Sequence, residues 1–193
     1  MENDGVGTLE TGETAISAYD SSITGSYDGY KDAAIVVFSR IAGENWDLPR
    51  KASDNSERHY LELDNNERAL LKHIVDSNKF EHIIVLMNGS NYIDLGFLKD
   101  GSTDPVAANK IDACINIGSP GASGIMALGN ILAGKVNPSG KTVDLVYTNY
   151  KNDPTWQNFG GNFTANGDAY TSGNGIIKFF DPASGNLVHT AVA

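Results

Sequence analysis

The sequence predicts an α/β fold, a mainly parallel sheet flanked by helices (an α/β sandwich) with a C-terminal β-hairpin. Three observations carry that prediction. Short, almost wholly apolar runs recur at 34–38, 83–87 and 113–117, the texture of strands covered on both faces. Segments of helical period separate them. Strands that alternate with helices form right-handed crossover units, and those build parallel sheets.

Each element has its own signal. Residues 1–30 are rich in Gly, Ser, Thr and Asp without a sustained period, and read as an extended arm or linker. The run 34–38, AIVVF, is the first strand, and 48–59 is a polar loop. Asp64 and Glu67 stand at capping-box spacing, with Asp in the N-cap role. They open a helix over 65–78 whose apolar stripe is Leu70, Leu71, Ile74 and Val75. The second strand is 83–87. Asn88-Gly89-Ser90 turns the chain into a short helix near 92–98. The third strand is 113–117, followed by a tight loop over 118–124. The helix at 125–133 is expected to turn Ile125, Leu128, Ile131 and Leu132 inward. Asn137-Pro138-Ser139-Gly140 is a turn, and 142–147 reads as a fourth strand. These elements make one α/β-sandwich domain over 31–150. Residues 151–193 read as a loop pinned by Trp156, Phe159, Phe163 and Tyr170, then a hairpin of 176–180 and 187–192, packed on the same domain.

Composition bounds the function. The chain has 193 residues, 40% hydrophobic and 20% charged, which suits one globular domain with a single core. A net charge of −10 argues against nucleic acid and against anionic membrane surfaces, both of which recruit basic patches. The longest apolar runs fall far short of the roughly 18 residues of a membrane span. The first ten residues, MENDGVGTLE, lack the apolar region of a signal peptide, which leans toward the cytoplasm and leaves the compartment of a parent protein open. Cys114 is the sole cysteine and sits inside an apolar run, as a buried inert thiol would. His59, His73, His82 and His189 show no metal-ligand spacing, so no metal and no organic cofactor are expected.

Candidate chemistry concentrates after the first strand. In open α/β sheets, ligands collect beyond the carboxyl ends of the strands. The loop there carries Arg40, Glu44, Trp46 and Asp47. Glu44 can serve as a general acid if desolvation raises its pKa, with Trp46 as an apolar wall, or it can be a solvated surface carboxylate. Arg40 and Asp47 can pair to shape the loop, or hydrogen-bond sugar hydroxyls. The loop GSPGASG (118–124) opens a helix as a phosphate loop would, but its G-x-x-G-x-x-G spacing and the lack of a following Lys suit a plain tight turn. Trp156-Gln157-Asn158-Phe159 suits stacking on sugar rings and suits docking a loop on its own domain.

Several segments together resemble the C-terminal α/β-sandwich domain of glycoside hydrolase family 3, the family of many β-glucosidases. They are AIVVFSRIAGENWDLPR (34–50), YLELDNNERALLKHI (60–74), IIVLMNGSNYIDLGFL (83–98), DACINIGSPGASGIMALGNILAGKVNPSGK (112–141) and DPTWQNFG (153–160), in the family's order. The resemblance implies retaining hydrolysis of β-glucosides or oligosaccharides. The nucleophile would come from a separate (β/α)-barrel domain of the parent protein. Glu44 would be the acid/base, and Arg40, Trp46 and Asp47 would line the pocket that holds the carbohydrate. A barrel of about 250 residues does not fit beside this domain in 193, so the chain reads as a fragment that is inactive alone. Two departures from the family stand out: no strand-helix portion precedes residue 34, and a Trp and a Gln-Glu pair common near 116–123 are absent. A sheet lacking a strand exposes an edge, which predicts a possible homodimer. The alternatives of other classes are a non-catalytic carbohydrate-binding or assembly module, and a flavodoxin-like nucleotide binder using 118–124.

Overall fold

The computed structural model describes residues 13–40, 58–99, 107 and 109–150, together with four C-terminal strands. The stretch read as an arm holds three short helical turns, Ile16–Ala18, α1 (Ser21–Gly25) and Ser26–Gly29. Asp20 caps α1 by accepting from the Ser22 and Ile23 amides. Ile16 and Tyr19 rest on the core, and Asn66 Nδ2 donates to Glu13 O (2.9 Å), so this stretch is fastened to the domain.

β1 (Ala33–Ser39), β2 (His82–Asn88) and β3 (Ala113–Asn116) form a parallel sheet in the order β1-β2-β3. The register sets Val36 against Val85 and Val85 against Cys114. The mainly parallel α/β prediction therefore holds. α2 (Asn65–Ser77) crosses between β1 and β2. Its N-terminus carries the capping box predicted: Asp64 Oδ1 accepts from Glu67 N (2.7 Å), and Glu67 Oε2 accepts from Asp64 N (2.8 Å). Asn78, left-handed at φ 49°, ends it. Alternation along β1 sends Ala34, Val36 and Phe38 to one face of the sheet, where they join Ile83, Val85 and Met87. Leu70, Leu71 and Ile74 of α2 close over that face, with Leu63, Ile93, Phe97 and Ala107 around it. Phe38 and Phe97 meet edge to face at 6.1 Å.

The other face is open at β1. Ile35 and Val37 are 50% and 47% exposed. α3 (Gly121–Leu132) fully buries none of its residues; Leu128, Ile131 and Leu132 of the expected inward stripe are half-buried, and Ile125, 42% exposed, is the member that departs from it. The fourth strand is also a correction. Residues 142–147 pair with no strand among the described residues, and Val143 and Leu145 are 90% and 80% exposed. The chain is drawn elsewhere: Leu95 N donates to Tyr147 O (2.8 Å) and Tyr150 N to Asp94 Oδ2 (3.1 Å), so the segment ends beside the turn after β2 rather than along β3. The short helix expected near 92–98 contracts to one 3-10 turn, Gly96–Leu98. Toward the C-terminus, β4 (Asn162–Ala165) pairs antiparallel with β5 (Asp168–Thr171), and β6 (Ile176–Phe180) with β7 (Leu187–Val192).

Candidate functional site

The carboxyl ends of the three strands form one rim. Arg40 leaves β1, residues 88–91 leave β2, and residues 117–121 leave β3. Arg40 N donates to Asn88 O (3.2 Å) and Ile117 N to Met87 O (2.9 Å), which extends the ladder to the rim. Gly118, at φ 59°, turns the chain before α3, and Gly121, at φ 63°, opens the helix. Gly118 N donates to Asn116 Oδ1 (3.0 Å), and the Ser90 and Ser119 hydroxyls face each other at 3.4 Å. Asn91 Nδ2 is buried with no acceptor among the described residues. These hydroxyls and amides suit a hydroxyl-rich ligand better than a phosphate, since no cation accompanies the 118–124 turn.

Arg40 is the sequence-predicted site residue that lies among the described residues. Its side chain and that of Glu67 are each 7% exposed. Nε donates to Tyr60 O (2.5 Å). One terminal nitrogen donates to Ser39 O (2.7 Å) and Glu67 Oε1 (2.7 Å), the other to Glu62 O (2.8 Å) and Glu67 Oε2 (2.8 Å). A guanidinium has five N–H donors, and all five are engaged here. The Tyr60 ring lies 5.5 Å from the guanidinium carbon. Burial opposes the charge, but the hydrogen-bonded Glu67 carboxylate outweighs it and holds the Arg40 pKa above the ordinary arginine value. This geometry is that of a structural pair, formed with Glu67. Glu44, Trp46 and Asp47 lie outside the described residues, as does the aromatic segment 153–160.

Sequence reasoning read Glu67 only as a cap and missed its second role. The signal was faint: a buried Arg directly after a strand needs a carboxylate, and the nearest helix N-terminus supplies one. It also missed Asp94. This buried carboxylate accepts from Gly96 N (2.8 Å) and Tyr150 N (3.1 Å), while the Tyr150 hydroxyl donates to Tyr92 O (3.0 Å). Burial first, then the Asp94 charge, push Tyr150 up to about 12. The latch holds residue 150 beside the turn after β2.

Two other features lie apart from the rim. A cavity of about 280 Å³ opens at the amino ends of β2 and β3, between Ile74, Asn78, Phe80, Ile83, Asn109 and Asp112. It sits at the end of the sheet opposite the rim. Burial raises the Cys114 thiol to about 11, so it is a poor nucleophile at neutral pH. Among the described residues no three His, Cys, Asp or Glu side chains come together to hold a metal, and no helix is long and apolar enough to cross a membrane.

Comparison with known proteins agrees with the fold. The glycosyl hydrolase family 3 C-terminal domain model matches residues 18–177. A beta-glucosidase of Ruminococcus albus is 31% identical over 128 residues, 66% of this chain and 12% of that protein. Beta-glucosidase A of Butyrivibrio fibrisolvens is 28% identical over 146 residues, 67% of this chain and 16% of that protein. The chain thus spans a small part of the relatives it matches. No solved structure matches it. The parallel sheet, the rim it presents and a family match over well over half the sequence converge: this chain belongs to the glycosyl hydrolase family 3 C-terminal domain family.

Proposed function

We propose that this chain is the acid/base and sugar-binding domain of a retaining glycoside hydrolase acting on β-glucosides or short oligosaccharides, with Glu44 as the acid/base. The observation that supports it most directly is Arg40. It is fixed at the carboxyl rim of β1, four residues before Glu44, in the segment that resembles the family's acid/base loop. Both relatives bear the name beta-glucosidase. Retention needs two carboxyl groups about 5–5.5 Å apart, one attacking the anomeric carbon and one protonating the departing oxygen. Glu44 supplies the second, gives its proton to the leaving group, and then takes one from the water that releases the sugar. The nucleophile comes from a (β/α)-barrel domain of the parent protein, so the 193-residue chain alone turns nothing over. Trp46 and Asp47 line the pocket beside Glu44.

The test is aryl β-glucoside hydrolysis, by this chain and by the protein of the complete reading frame. Glu44→Gln in the latter lowers turnover by about 10²-fold or more, since general acid/base catalysis contributes that much. Azide, which needs no base, then restores turnover and gives a β-glucosyl azide. An active 193-residue chain whose activity is lost in Glu44→Gln refutes the fragment reading. An unaffected Glu44→Gln enzyme refutes the acid/base reading.

The exposed Ile35 and Val37 on an edge strand favour a second reading, an assembly or carbohydrate-binding module that forms a homodimer through β1. Sugar binding by calorimetry, a dimeric mass by light scattering and no barrel in the reading frame are its signature. A monomer at high concentration counts against the dimer.

A further inference from the structure

The surroundings of Arg40 exceed what a helix cap requires. The box at the start of α2 uses one Glu67 oxygen and the Asp64 carboxylate. Both Glu67 oxygens, the capping one included, together with three backbone carbonyls and the Tyr60 ring, face the guanidinium. The backbone of the same residue is held from the opposite side. Arg40 N bonds to Asn88 O, and Gly89 lies so close that a Cβ on it would stand 2.7 Å from Arg40 O and 3.3 Å from Arg40 N. A Cβ contact of 2.7 Å to a backbone oxygen essentially never occurs, so a side chain at 89 pushes the Arg40 carbonyl away.

We propose that Glu67 and Gly89 are positioning residues: together they fix the point and direction at which the chain leaves β1 toward Glu44. Glu44 stands four residues beyond the anchored Arg40, at most about 14 Å of chain. A misplacement of about 1 Å from a change outside the chemistry can cost on the order of 10²-fold in rate. The proposal rests on the reading of Glu44 as the acid/base, and the experiment separates the two.

Glu67→Gln keeps an oxygen for the capping box, where Gln is an accepted partner, and removes the charge that holds Arg40. Gly89→Ala displaces the Arg40 carbonyl with no change of charge. In the 193-residue chain, amide hydrogen exchange at Arg40 is expected to rise at least about tenfold in both variants, with residues 70–74 inside α2 unchanged. In the protein of the complete reading frame, kcat on an aryl β-glucoside is expected to fall about 10- to 100-fold with KM within about twofold. Unchanged exchange at Arg40, or faster exchange in α2 alone, overturns the anchor. Faster exchange at Arg40 with an unchanged kcat, in an enzyme that Glu44→Gln inactivates, overturns the positioning role and spares the acid/base reading. If Glu44→Gln leaves kcat intact, the acid/base reading fails, and the exchange result still decides the anchor.

Discussion

Arg40→Met is the sharpest probe of the rim, because the structure fixes what it removes. The substitution keeps most of the side chain's length and deletes all five donors. Glu67, 7% exposed, is left as a buried carboxylate that keeps the Asp64 amide, and the Tyr60 and Glu62 carbonyls lose the bonds that Arg40 gives them. Breaking a buried ion pair by removing one partner costs about 3–5 kcal/mol, against roughly 0–1 kcal/mol for an exposed one. Domains of this size are stable by about 5–15 kcal/mol, so the loss takes a large share of the total. At about 2 kcal/mol per molar urea, the unfolding midpoint drops by about 1.5–2.5 M. The double variant Arg40→Met/Glu67→Gln is the control. It replaces the stranded charge with a neutral amide that can still cap α2, and recovers about 1–2 kcal/mol of the single-variant loss. A single-variant loss under 1 kcal/mol, or a double variant worse than Arg40→Met by the full Glu67→Gln cost, refutes the buried-pair reasoning.

Asp64→Ala removes the cap oxygen of α2 and costs about 1 kcal/mol by urea unfolding, with no change in the sheet's circular dichroism. Leu71→Ala, at a fully buried position between α2 and the sheet, costs about 2–5 kcal/mol; a loss below 1 kcal/mol would mean α2 is not seated as described. Cys114, raised to about 11, reacts with a thiol reagent at pH 8 far more slowly in the folded protein than in urea, and equal rates would contradict its burial. Asp112 is depressed, first by the Ile83 amide it accepts from and then by His82. A depressed carboxyl contributes stability above its unfolded pKa, and that contribution is lost as pH falls through the folded value. Asp112→Asn should therefore be less acid-sensitive than the parent below about pH 4, and identical acid titrations would refute the linkage.

The legible part of the fold was the part where local signals and burial agree. AIVVF and IIVLM are apolar because α2 covers one face of both strands, and the Asp64–Glu67 box is local by construction. The parallel pairing of β1 with β2 follows from the crossover helix α2 between them. What failed depended on partners. TVDLVY alternates as a strand should, yet strand pairing is decided by the neighbour, and this segment's end is held by Asp94 and Leu95 instead. The site divided along the same line. That Arg40 stands at the strand's carboxyl end was readable from position alone. That its partner is Glu67, 27 residues on, was not, because the contact exists only after α2 packs on β1.

α3, GASGIMALGNIL, carries no charged residue, and a helix that is apolar all round belongs in an interior. Parallel sheets are covered on both faces, yet Ile35 and Val37 stand half exposed on β1. The face that α2 covers is complete in itself, with a capped helix, a buried ion pair and an interlocked aromatic pair. The two faces therefore do different work. The α2 face holds the sheet together and fixes Arg40 at the end of β1 through Glu67. On the opposite face Leu86 of β2 is buried, while Ile35 and Val37 of β1 stay half exposed among the described residues. A substitution of the first kind, such as Leu71→Ala, reads out in stability. On the second face a charge at Val37 should leave the urea midpoint within about 0.5 kcal/mol of the parent, as surface changes do, and a drop of several kcal/mol would show that the chain covers that face itself.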